Sequence, residues 1–118
     1  MTRFVYAADL HDDPASIAAY EAWHRPDRIW PSVAHAIRES GITDLELFRT
    51  GERLVMIIEA PDGFSPEARA AKDAENLDVQ AWEALMSTFQ RPLRWAKPGE
   101  KWLAMQRIFS LAELSPAP

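Results

Sequence analysis

The order in which strand and helix signals follow one another, punctuated by proline, constrains this chain more than any other feature. Residues 3–10 alternate, with Phe4, Tyr6, Ala8 and Leu10 on one side and Arg3, Val5, Ala7 and Asp9 on the other. That is the period of a strand. Asp13-Pro14 opens a helix, with a carboxylate at the N-cap and a proline at the first helical position, where its missing N–H is no loss. This helix carries Ile17, Tyr20, Trp23 and His24 and must end before Pro26. Pro31 starts a second helical stretch, with Val33, Ala36 and Ile37 at helical spacing, and Gly41 fits the left-handed position past its end. Two β-rich runs, 44–49 and 53–59, flank the hairpin signal Thr50-Gly51-Glu52. Ser65-Pro66-Glu67 begins another helix that continues through Ala74, and Asn76 can cap a further one with Val79, Trp82, Met86 and Phe89 as its apolar stripe. Residues 92–100 read as a loop around Pro98-Gly99, and 101–109 as a last strand.

The sum is β-α-β-β-α-β with each helix position split in two. It predicts an α+β domain of ferredoxin-like, split-βαβ type. At 118 residues there is room for one core, assigned to residues 1–112, with 113–118 expected to fray. Helices on one face of a four-stranded antiparallel sheet leave the other face bare. Because the strands are rich in large apolar residues, two sheets are expected to pack face to face in a homodimer.

Charge and composition remove whole classes of function. Thirteen basic against eighteen acidic residues give a net charge of −5, which argues against a nucleic-acid groove and against an anionic membrane surface. The chain has no cysteine, so thiolate chemistry and disulfides are excluded. No secretory leader or membrane-length apolar run is visible, and a cytoplasmic protein is expected. There is no Gly-x-Gly-x-x-Gly, no His-Glu-x-x-His and no Gly-x-Ser-x-Gly. His11, His24 and His35 stand about a dozen residues apart, so a metal site would need distant carboxylates around one imidazole, and none is expected. Acid–base chemistry or simple binding is left.

Candidates for that chemistry gather in Tyr20 to Pro31. Tyr20 and His24 are four residues apart, hence on one helical face, and Trp23 and Trp30 frame the imidazole. An imidazole beside a phenol, among aromatic rings, suits proton transfer to a neutral hydroxylated ligand such as a sugar. Taken alone, a Tyr-x-x-x-His pair more often just packs at a helix end. Glu46, Glu59 and Glu83 are further acid–base candidates, and alternation leaves open whether the first two face a cavity or solvent. Trp82 fits the apolar stripe, yet its face could also carry a pyranose, with Glu83 accepting hydroxyl hydrogen bonds. Residues 95–102 place Trp95 and Trp102 around a charged turn, which suits a pocket mouth or a dimer contact equally.

In combination, Tyr20-x-x-x-His24, Ile29-Trp30-Pro31, Gly41, the hairpin, Val79-Gln80-Ala81-Trp82 with Met86, and Ile108-Phe109-Ser110-Leu111 resemble the L-rhamnose mutarotase family over nearly the whole chain. The resemblance implies a ferredoxin-like domain that dimerises into an α/β barrel. It implies interconversion of the α and β anomers of a 6-deoxy-L-hexose with no metal or organic cofactor. By the same resemblance, His24 is the proton donor and Tyr20 a sugar contact. Rhamnose-type members carry a second-strand tyrosine where this chain has Leu45, and paired tryptophans where it has Trp82-Glu83. Those two departures, with the 95–102 loop, are similar to a branch associated with L-fucose. Tyr20 and Trp82 carry over from the family, and with the candidates read from the residues themselves the expected sugar contacts are Tyr20, Trp30, Glu46, Trp82, Glu83, Trp95 and Trp102. A non-catalytic small-molecule-binding protein is the alternative from another class, and a cofactor-independent oxygenase a third, because this fold hosts unrelated tasks.

Overall fold

Three of the four helices begin on a side-chain cap that the sequence marks. A computed structural model describes residues 1–116 of the chain. It contains, in order, β1 (Thr2–Leu10), α1 (Pro14–Trp23), α2 (Pro31–Glu39), β2 (Asp44–Thr50), β3 (Arg53–Ala60), α3 (Pro66–Glu75), α4 (Leu77–Ser87), β4 (Gln90–Arg91) and β5 (Leu103–Ala104). The Asp13 carboxylate accepts from the Ser16 N–H at 3.0 Å, and Ser65 Oγ from the Ala68 N–H at 3.1 Å. Asn76 Oδ1 accepts from both Asp78 and Val79 at the start of α4. Each such cap is worth about 1 kcal/mol. Gly41 takes φ +96° just past α2, and Gly51 takes φ +57° in the two-residue turn joining β2 to β3.

The sheet is antiparallel throughout, in the order β2-β3-β1-β4, with β5 also beside β1. That is the ferredoxin-like arrangement the element order predicts. Its register fixes which residues share a face. Tyr6, Met56 and Leu47 form one cross-strand row on the helix side, and Phe4, Ile58 and Leu45 the next. Val5, Ile57 and Glu46 lie on the far side, as do Ala7, Val55 and Phe48. Between sheet and helices the core closes on Leu10, Tyr20, Val33, Leu54, Trp82 and Met86, all buried.

The last third of the chain differs from its sequence reading. Helix α4 stops at Ser87, so Phe89 lies beyond it in a turn, its carbonyl accepting from the His11 N–H at 2.9 Å. Gln90 and Arg91 then pair with Leu10 and Asp9, where a loop was expected one residue later. The expected strand over 101–109 shrinks to Leu103–Ala104, followed by one bond from the Met105 N–H to the Val5 carbonyl at 2.8 Å. β4 takes the Asp9–Leu10 end of one edge of β1 and β5 the Tyr6–Ala7 position, and residues 106–109 then leave that edge, with Ile108 and Phe109 exposed. They run on to a single 3-10 turn, Leu111–Glu113, where Glu113 pairs with Arg107. Of the tail expected to fray, residues 117–118 lie outside the described residues. Among the described residues no helix is long and apolar enough to cross a membrane.

Candidate active site

His24 owes its position to the way α1 ends. Pro26 disfavours helical geometry at the residue before it, so the helix closes with His24 as its C-cap, at φ −92° and ψ 2°. There the ring folds back along the helix, and Nδ1 lies 2.7 Å from the Tyr20 carbonyl oxygen. A carbonyl can only accept, so Nδ1 carries the hydrogen. In the neutral ring Nε2 is then an unprotonated acceptor, and among the described residues it has no protein partner. Burial pushes the His24 pKa below the ordinary 6.5, outweighing the bond to Tyr20, which acts in the opposite direction. At neutral pH the imidazole is uncharged.

Aromatic rings surround it. Tyr20 stacks at a tilt with centroids 4.5 Å apart, and Trp82 meets the imidazole edge-on at 5.4 Å. Trp30 braces Trp82 from behind at 5.2 Å. Tyr20 itself is 4% exposed, and burial raises its phenol to about 12 despite the opposing effect of the Gln90 amide beside it. The phenol therefore stays protonated and can only hydrogen-bond.

These groups open on a cavity of about 570 Å³ between the helices and the sheet. This falls within the usual range for small-ligand sites. Its floor is the helix-side face of the sheet, Tyr6, Leu45, Leu47, Met56 and Ile58. Of the expected sugar contacts, Tyr20, Trp82, Glu83 and Trp102 line it with His24, while Trp30 supports the wall one layer out. Leu45 does occupy the cavity floor, where the resemblance places a tyrosine in rhamnose-type members.

Two expected contacts are not brought to this cavity. Glu46 alternates with the cavity-facing Leu45 and Leu47 and so projects from the opposite face of the sheet. Trp95 is 55% exposed, lies outside the lining, and has the Arg53 guanidinium over its ring at 5.3 Å. Glu59 shares the far face, 3.9 Å from Arg3. The 95–102 loop thus divides, with Trp102 at the cavity and Trp95 away from it.

The cavity also contains residues that the sequence did not single out. Arg69 and Asp73 are one turn apart on α3 and 3.4 Å from each other, and both line the cavity. Gln90, on β4, lines it next to Tyr20 and is 8% exposed. Lys101 reaches it with Nζ donating to Ser87 Oγ at 2.7 Å. The four-residue spacing of Arg69 and Asp73 allows a helical ion pair, but nothing local says that this face of α3 meets a cavity. Among the described residues no group of three or more His, Asp or Glu converges as a metal site.

A neutral imidazole acceptor, a protonated phenol and tryptophan edges around an apolar floor suit an uncharged polyol with one apolar face. Known proteins agree in kind. The chain is 50% identical over 113 residues to an L-fucose mutarotase of Xanthomonas campestris pv. campestris, covering 96% of this chain and 90% of that protein. Its fold is similar to the crystal structure of an L-rhamnose mutarotase from Formosa agariphila, with TM-score 0.66, 16% identity, and 94% and 99% of the two chains covered. It is also similar to tetracenomycin F2 cyclase of Streptomyces glaucescens, a type-II polyketide cyclase, with TM-score 0.60 and 20% identity over the whole of both chains. At such identities the two structures speak for the ferredoxin-like fold alone. The model of the L-rhamnose mutarotase family matches residues 3–111, nearly the full chain, and this protein belongs to that family.

Proposed function

We propose that this protein is a sugar mutarotase that interconverts the α and β anomers of a 6-deoxy-L-hexose, with L-fucose preferred to L-rhamnose. The preference rests on the L-fucose mutarotase relative and on Leu45 and Glu83, which replace a phenol and an indole at the cavity. The single observation that carries the mechanism is the locked ring of His24, whose Nδ1–H is held by Tyr20 O.

A neutral imidazole in that tautomer receives a proton before it gives one. Nε2 takes the hydrogen of the anomeric hydroxyl. The O1 electron pair then forms the C1=O bond as the bond from C1 to the ring oxygen breaks. The ring oxygen takes up the proton from the imidazolium, since both oxygens are bonded to C1 and one nitrogen can serve them in turn. The open aldehyde rotates about its C1–C2 bond and closes by the reverse steps on its other face. The donor role implied by the family resemblance is thus the second half of a shuttle. Tyr20, protonated throughout, donates a hydrogen bond that steadies the oxygen where negative charge develops. One positioned acid–base group contributes on the order of 10²–10⁴ in rate, which suits a reaction that already proceeds in water.

Two copies pairing through the far face of the sheet complete the proposal. That face carries Val5, Val55 and Ile57 with Phe48 51% exposed, and the C-terminal segment exposes Ile108 and Phe109. Exposed apolar side chains gathered on one face suit an interface. The radius of gyration, 15.9 Å, exceeds the roughly 13.5 Å of a compact chain of this length, as an arm extended for a partner would require. A cytoplasmic location, and no nucleic-acid or membrane partner, belong to the same proposal.

Saturation-transfer NMR on equilibrated L-fucose and L-rhamnose tests the activity. The enzyme should link the two anomeric proton signals, faster for L-fucose. Signals that stay uncoupled with protein present would leave a binding protein only.

A further inference from the structure

The cavity extends beyond the groups gathered around His24, and its chemistry changes from one end to the other. Helix α4 leads into Gln90, which pairs with Leu10, so the C-terminal end of this helix lies at the Leu10 end of the sheet. Tyr20 packs there with Leu10, Leu54 and Met86. His24, Tyr20, Gln90 and Lys101 bring polar groups to this end of the cavity, Lys101 through its bond to Ser87 in the last turn of α4. At the other end, Phe64 meets Phe4 edge-on at 5.7 Å, and Phe4 stands in one cross-strand row with Ile58 and Leu45. The lining here is apolar, formed by Leu45, Ile58, Phe64, Ala70 and Val79. Arg69 and Asp73 also border this end, but their charges face each other at 3.4 Å.

The two ends are well separated. Leu54 and Ile58 are four residues apart on β3, about 13 Å, and Val79 and Met86 seven apart on α4, about 10 Å. A 6-deoxyhexose does not fill this space. Given even a water's share of roughly 30 Å³ for each of its eleven non-hydrogen atoms, it takes about 330 Å³ of the 570 Å³. Helix α3, the wall at the apolar end, buries none of its residues, as an element standing over unfilled space would. His24 serves C1 and the ring oxygen, and the edge of a pyranose opposite that bond is C3–C4. A sugar seated on the imidazole therefore turns C3 and C4 away from it, toward the rest of the cavity.

We propose that the enzyme also turns over reducing 6-deoxyhexoses carrying a small apolar O-alkyl or O-acyl group on the C3–C4 edge, which lies beneath α3 against Leu45, Ile58, Phe64 and Val79. This widens the substrate class of the mutarotase proposal and rests on it. The anomeric hydroxyl of such a sugar stays free, so the chemistry at His24 is unchanged. The apolar group displaces water from apolar walls and gains binding without a new polar contact. A second, unsubstituted sugar unit would instead bring hydroxyls to walls that offer them few partners.

The test is a chain-length series. Anomer exchange is measured on L-fucose and on its 3-O- and 4-O-methyl, ethyl and propyl ethers, with each sugar's uncatalysed rate subtracted. In at least one of the two series kcat/KM should rise about threefold with each added methylene, carried mainly by KM. A kcat/KM that stays level or falls with chain length in both series would overturn the proposal, a result that needs no variant to fold. Ala70→Leu places a larger side chain in the same space at an exposed helix position that accepts leucine. Relative to L-fucose in the same variant, it should flatten the rise. A rise that survives Ala70→Leu would put the alkyl group elsewhere and overturn the assignment to the space beneath α3. If the unaltered protein does not exchange the anomers of L-fucose or of any ether, it is the mutarotase proposal that fails.

Discussion

The two faces of the sheet are built from the same strands, one residue out of step, and treat polar groups in opposite ways. On the far face charges stand in pairs. Arg53 grips the buried Asp9 carboxylate through two bonds of 2.9 and 3.2 Å, and Arg3 lies 3.9 Å from Glu59. On the helix side, buried polar atoms of Gln90 and Arg69 are left without partners around an apolar floor. A paired charge at the end of a strand completes a structure, whereas an unpaired buried donor or acceptor is a cost that the fold carries. What separates the two faces is therefore the cavity that the helix side encloses around Tyr20 and His24.

The largest effect expected from breaking this contrast is at the cavity. His24→Asn removes the proton-accepting nitrogen and should lower the catalysed anomer-exchange rate by roughly 10²–10⁴, with a thermal midpoint close to that of the parent. An undiminished rate in that variant would place the chemistry elsewhere.

Acid should reproduce the effect without mutation. His24 titrates below 6.5, so kcat/KM should be level from about pH 6.5 upward and fall tenfold per pH unit below the depressed pKa. Stability follows the same sign. The unfolded chain binds the His24 proton more readily, so the native state loses stability as pH drops from 6.5 to the folded value, and no more from this group beyond it. A rate profile whose acid limb begins above 6.5 would show an imidazole that burial does not depress.

On the far face, Asp9→Asn should act on stability only. Removing the charge from a carboxylate that is 4% exposed and held by Arg53 should cost about 1–2 kcal/mol in denaturant unfolding, leaving anomer exchange per folded molecule intact. The smallest effect belongs to Glu46→Gln. Its side chain projects away from the cavity, so kcat and KM for L-fucose should be unchanged, and a tenfold loss of rate would return it to the working face.

What could be read from the sequence divides along physical lines. Caps at Asp13, Ser65 and Asn76, and the left-handed glycines 41 and 51, depend on a few neighbouring residues and were legible. So was the pairing of Tyr20 with His24, which needs only the helical repeat. The strand after α4 was not, because Gln90 and Arg91 are strand only through their pairing with Leu10 and Asp9, distant in the chain. Glu46 and Leu45 were known to point in opposite directions, but alternation cannot say which direction holds the helices. Gln90 and Arg69 gave no local signal, since only the folded chain brings β4 and α3 to the cavity wall.

Nitrogen-15 NMR of the His24 ring is the decisive measurement. Near pH 7 Nδ1 should show the chemical shift of a protonated nitrogen and Nε2 that of an unprotonated one, the ring should titrate below 6.5, and L-fucose should move the Nε2 resonance. A proton residing on Nε2, or an Nε2 signal indifferent to saturating L-fucose, would contradict this assignment.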